Sequence, residues 1–194
     1  LPDRPPVRHR AAIVDDPEAL GRFLRDLWAW QGGTMAQPVM RMLAYVFQRP
    51  GEVRCMRWAD IDEDRALWRF TVTKVGAPHV VPLPAQALAI IEEMREVNGT
   101  AEFVFAGPGG QPISDVLPGR LAQQLGWGGV MSAHGFRATA RTMLVEIHDV
   151  DPRLVEHQLS HRSSEVLGRA YDRATFVEQR REMLQRWADS LDEL

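Results

Sequence analysis

One cysteine, one lysine and two tyrosines among 194 residues narrow what this chain can be. Cys55 alone cannot close an internal disulfide. No apolar run reaches 18 residues, and no basic segment followed by an apolar stretch opens the chain, so neither a membrane span nor a secretory leader is expected. Repeats and low-complexity tracts are missing too. Those absences predict a soluble cytoplasmic protein. The sequence begins Leu-Pro-Asp-Arg-Pro-Pro without a methionine, which reads as a piece of something longer, with domains on its N-terminal side left out.

What is present is apolar and acidic on balance. Hydrophobic residues make up 45% of the chain and six are tryptophan, enough for one large core. A formal charge of −3 counts against a nucleic-acid partner, because phosphate neutralisation normally leaves a basic domain. The charge is uneven, however. Residues 41–74 carry seven cations against five anions, whereas residues 90–102 carry four acids and one arginine, so a basic face can coexist with an acidic back.

Residues 1–14, rich in Pro and Arg, read as a linker remnant, and residues 15–194 as one domain. Asp16-Pro17 supplies a cap and a first-turn proline for a helix carrying Leu20, Phe23, Leu24, Leu27 and Trp28. Thr34 opens a second helix through Val39, Met42, Leu43 and Val46, and Pro50-Gly51 starts a short third to about Arg57. Alternation of Trp68, Phe70 and Val72 with Arg69, Thr71 and Thr73 predicts a strand, a turn at Gly76–Pro78 and a return strand. Residues 84–97 read as a helix, 103–105 as a short strand and 114–125 as a helix. Further helices are expected over 135–147, 152–159 with Asp151 as cap, a short turn at 164–169, and 174–191. The expectation is a mainly α fold with a small antiparallel β-hairpin or sheet.

Several side chains stand out for their chemistry. His134 and Arg137 are three apart at a helix start, near the positive end of its dipole, where a phosphate could sit. A planar arginine fork can take two phosphate oxygens at once, and Arg49 with Arg137 is the candidate pair for a phosphorane's extra charge. His157 and His161 have a four-residue spacing that zinc sites use, but no third ligand is evident, and His157 is read as packing or supporting. His79 reads as structural and Tyr45 as core.

The segments RPGEVRCMRWADID, TKVGAPHVVPL, AHGFRATARTML, LVEHQLSH and AYDRATFVEQRREMLQRWADSL together resemble tyrosine recombinases, specifically the integrases of phages and genomic islands. The resemblance covers roughly residues 15 to 191 and departs at Phe47-Gln48, where the family often has Thr-Gly, and at Ser160, where it often has Gly or Ala. It implies a catalytic domain that cuts and rejoins double-stranded DNA at attachment sites, with no metal or nucleotide cofactor. Tyr171 would attack the scissile phosphorus to give a 3′-phosphotyrosine, integrating or excising a mobile element such as a prophage. Lys74, an ammonium near a hairpin tip, would protonate the departing 5′-oxygen, since an arginine donates poorly. His134 and His161 would donate to non-bridging oxygens, with either open to the base role, and Glu52 would orient a neighbouring arginine or histidine. The resemblance further implies a homotetramer on DNA, a monomer for an isolated fragment, and accessory excision or DNA-bending proteins. The stripe of Phe176, Met183, Leu184 and Trp187 could dock in cis or on a neighbour. Three rivals remain: an inactive DNA-binding regulator of the same fold, a type IB topoisomerase-like enzyme, and a metallohydrolase using His157 and His161.

Overall fold

The computed structural model describes residues 11–33, 35–74, 76–161 and 176–194. Helix α1 (Pro17–Ala29) starts as its sequence dictates: the Asp16 carboxylate accepts from the Ala19 N–H at 2.8 Å, and Pro17 fills a position that needs no donor. Its stripe of Leu20, Phe23, Leu24 and Leu27 is buried. Helix α2 (Ala36–Val46) is apolar on nearly every side and lies at the centre, against α1 and most later helices. The start expected at Thr34 lies outside the described residues. Phe47 ends α2 in the left-handed region, with φ 40°.

Helix α3 (Pro50–Arg54) is shorter than the span to Arg57 read from sequence. Arg57 instead forms an isolated bridge with Phe103, and Trp58 N–H donates to the Glu102 carbonyl, which pulls the chain out of the helix. Besides that bridge, residues 103–105 make only single main-chain bonds, Val104 N–H to the Met56 carbonyl and Ile113 N–H to the Phe105 carbonyl. The expected strand there is corrected to an apolar loop segment, buried because its side chains fill the core.

Strands β1 (Ile61–Asp62), β2 (Leu67–Val72) and β3 (Ala77–Pro82) form an antiparallel meander in that order. Pairing of Val72 with Ala77 places Pro78 inside β3, so the turn does not extend to Pro78 as read from sequence. Gly76, at φ 64°, supplies the left-handed step. Helix α4 (Ala85–Asn98) packs on α2. Helix α5 (Leu117–Gln124) begins three residues after Ser114, with Pro118 in its first turn, where a missing N–H costs nothing.

Helix α6 (Gly135–Glu146) opens on a glycine for a steric reason: a Cβ there would collide with the Ala11 carbonyl. That carbonyl also accepts from Ser132 Oγ, and Ile13 is buried, so residues 11–13 lie against the start of α6. Helix α7 (Pro152–Gln158) is capped by Asp151, as expected. The turn expected at 164–169 lies outside the described residues. Helix α8 (Val177–Asp192) buries Met183, Leu184 and Trp187 on its own domain, against α2, α7 and β3. Trp187 Nε1 donates to the Ala44 carbonyl at 2.9 Å, and Tyr45 donates to Asp192 at 2.8 Å. In this structure, then, the terminal helix docks in cis.

Candidate active site

The site forms where α2 ends, α3 and α6 begin, and α7 finishes. Arg137, on the first turn of α6, turns inward and is only 6% exposed. Its Nη1 donates to the Phe47 carbonyl at 3.0 Å and its Nη2 to the Leu159 carbonyl at 2.7 Å. A third contact, 3.2 Å, joins Nη2 to His161 Nε2. Three of the five guanidinium donors are thus fixed, and the geometry of the fork is set by the main chain. Burial, followed by the like charge of Arg49, lowers the Arg137 pKa to about 10, while Glu156 and Glu52 oppose the fall. The group stays a cation at neutral pH.

Arg49 immediately precedes α3, half-buried, and its Nη1 is shielded from solvent without a hydrogen-bond partner. A buried guanidinium nitrogen left unbonded beside a second arginine is costly. Glu52, one turn into α3, is buried and accepts from both the N–H (3.0 Å) and the hydroxyl (3.2 Å) of Thr73. Its hydrogen bonds thus go to the hairpin, while its charge acts on Arg137. The adjacent Lys74 is exposed at the hairpin end.

His161 follows α7 and spans two charged groups. Its Nδ1 lies 2.6 Å from Glu156 Oε2, and its Nε2 faces Arg137. Because Arg137 can only donate, the consistent arrangement has Nδ1–H donating to the carboxylate and Nε2 accepting. Both ring nitrogens are thereby occupied by protein, which leaves His161 poorly placed as one of a zinc pair with His157. Glu156 was missed in the sequence, where it looks like any helix-surface acid. Burial would raise its pKa, but hydrogen bonds from Arg141 and His161 outweigh that and hold it below the ordinary carboxylate range.

The remaining candidates lie around this cluster. His134 stands half-buried directly before α6. His157 lies edge-on to the Phe176 ring at 5.7 Å. Tyr171 lies outside the described residues. Tyr45, the other tyrosine, is buried in the core, and burial together with the Asp192 carboxylate raises its phenol far from any nucleophilic state. His79 is buried on β3, with Nε2 3.2 Å from the Gln158 carbonyl, and burial lowers its pKa to about 3. Among the described residues no three metal-ligating side chains cluster, and no helix is long and apolar enough to cross a membrane.

Residues 30–178 match the model of the phage integrase family. Prophage integrase IntA of Escherichia coli (strain K12) is 37% identical over 145 residues, covering 73% of this chain and 35% of that protein. The integrase of Shigella phage Sf6 is 31% identical over 176 residues, 88% of this chain and 46% of its own length. The chain thus spans about a third to a half of these relatives. Among solved structures, a lambda integrase dimer bound to a COC′ core site has a TM-score of 0.61 at 20% identity, covering 88% of this chain and 62% of that one. The XerA recombinase gives 0.62 at 15% identity, with coverage of 98% and 64%. These likenesses confirm the fold read from sequence.

Proposed function

This chain belongs to the phage integrase family, and we propose on that premise that it is the catalytic part of a site-specific recombinase acting on double-stranded DNA. Cleavage would proceed by attack of the Tyr171 oxygen on phosphorus, forming a 3′-phosphotyrosine bond and breaking the bond to the 5′-oxygen, which leaves as a hydroxyl. Rejoining reverses the exchange, so the phosphodiester energy is kept in the protein-DNA bond.

The observation that carries this reading is the unbonded, buried Nη1 of Arg49 next to an Arg137 already fixed by two carbonyls. Two oriented cations with donors to spare suit the non-bridging oxygens of a phosphate gaining negative charge. A free phenol titrates near 10, so such cations also favour phenolate character as attack proceeds. His161 completes the lining. Lys74, on an exposed hairpin end tethered through Thr73 to Glu52, supplies the proton to the leaving oxygen. A lambda integrase tetramer bound to a Holliday junction shares this fold, and assembly of four copies on DNA is the corresponding proposal here.

The test is covalent trapping on suicide duplexes that carry the junction sequences of the element encoding this chain. Tyr171→Phe should abolish the trapped complex while duplex affinity stays within about twofold. Undiminished trapping would remove Tyr171 as nucleophile. Relaxation of any supercoiled plasmid without joining of two junctions would favour the topoisomerase reading, and retention of binding without cleavage in the unaltered protein would favour the inactive regulator.

A further inference from the structure

Beneath the site lies a second polar cluster that the reaction does not use. Arg180, on the first turn of α8, is 1% exposed, and its Nη1 donates to Gln158 Oε1 at 2.9 Å. Burial lowers its pKa to about 10, so the core holds a full cation there. Gln158 is fully buried at the end of α7 and bonds to three other elements. Its Nε2 donates to the Val46 carbonyl at 3.2 Å, and its own carbonyl accepts from Gln48 Nε2 at 2.6 Å and faces His79 Nε2 at 3.2 Å. The next carbonyl, that of Leu159, is one of the two that hold Arg137. One glutamine therefore joins the end of α2, the residue before Arg49, strand β3 and α8, and the peptide beside it orients the catalytic arginine.

We propose that Arg180 is a positioning residue for phosphoryl transfer: through Gln158 it makes the docking of α8 a condition for residues 159–161 to hold Arg137 and His161 in place. This rests on the reaction proposed above. The physical reason is the cost of separation. If α8 lifts, a buried cation and a buried amide lose the bond between them, so the end of α7 is free to shift. Small displacements of a site's orienting groups reduce rate far more than they reduce ground-state binding.

Single-turnover trapping on the same junction duplexes, with duplex affinity measured alongside, tests the link in Arg180→Met, Arg180→Lys, Gln158→Met and the Arg180→Met/Gln158→Met double variant. Arg180→Met should slow cleavage about tenfold or more with affinity unchanged within about twofold, and Arg180→Lys should recover most of the rate. The double variant should be no slower than the slower single one, because both remove one connection. Losses that multiply in the double variant, or that strike rate and affinity equally in all four, overturn the proposal. If Arg180→Met does not fold, Gln158→Asn carries the test: its shorter amide should lower the rate while sparing affinity, and a rate equal to that of the unaltered protein refutes the link. Tyr171→Phe runs in parallel. If it still traps DNA, the reaction and the link fall together; if it is inert while the Arg180 and Gln158 variants cleave normally, the link alone falls.

Discussion

The α6 end of the site and its hairpin end are built in opposite ways. At the α6 end Arg137 is buried and held by two main-chain carbonyls, with His161 and Glu156 stacked behind it in a hydrogen-bonded chain. At the hairpin end Lys74 is exposed, and the protein controls it one residue away, by the grip of Glu52 on Thr73. The difference matches the separate jobs proposed for the two charges. A cation that stabilises charge at a fixed phosphorus gains from preorganisation, whereas a proton donor must reach an oxygen that then departs.

Arg137→Ala should break this contrast most severely. It leaves two buried carbonyls unpaired as well as removing a charge, so cleavage should fall about 10³-fold and unfolding free energy by about 2–4 kcal/mol. Denaturant melts and single-turnover trapping report the two losses, and undiminished stability would show that the carbonyls find other donors. Lys74→Met comes next, with a rate loss of about 10²-fold at neutral pH and stability changed by less than about 0.5 kcal/mol. A duplex with sulfur in place of the leaving 5′-oxygen needs no proton, and should restore the rate of this variant. Failure of that rescue would deny Lys74 the acid role.

Glu52→Gln sharpens the comparison by loosening the tether while leaving the hydrogen bonds of Arg137 in place, though it removes a carboxylate charge near that arginine. One of the two contacts to Thr73 weakens, so stability should drop about 1 kcal/mol and cleavage about tenfold, with Arg137-dependent affinity spared. The last effect falls on stability alone and leaves cleavage at neutral pH untouched. His79 is buried neutral in the hairpin root, with its pKa lowered from 6.5 to about 3. Below pH 6.5 the unfolded chain binds a proton that the folded chain refuses, so this contribution is present above that pH and is lost as pH falls toward 3. The slope is at most about 1.4 kcal/mol per pH unit. His79→Gln should flatten the stability profile in that window, and an unchanged slope would assign the acid sensitivity elsewhere.

Much of this was legible from local signals. Asp16-Pro17 and Asp151-Pro152 announce their helices because cap chemistry acts within three residues, and the β2 alternation reads directly onto burial. Arg49, Arg137 and His161 could be selected by residue type and order. Their supports could not be. Glu156 and Gln158 sit in a helix where any polar residue looks like surface, and the groups that Gln158 bonds lie 22, 79 and 110 residues away in sequence. Residues 103–105 misled for a related reason: an apolar triplet declares burial but says nothing about whether a partner strand waits alongside.

The carbonyl grip on Arg137 bears on how such a protein tolerates mutational drift. Peptide oxygens survive any substitution at positions 47 and 159, so side chains there can vary in size and polarity without deleting an acceptor. What heredity must conserve is the path of the chain: the left-handed exit from α2 at Phe47 and the last turn of α7. A chain can agree with another at only a fifth of its residues and still share this fold.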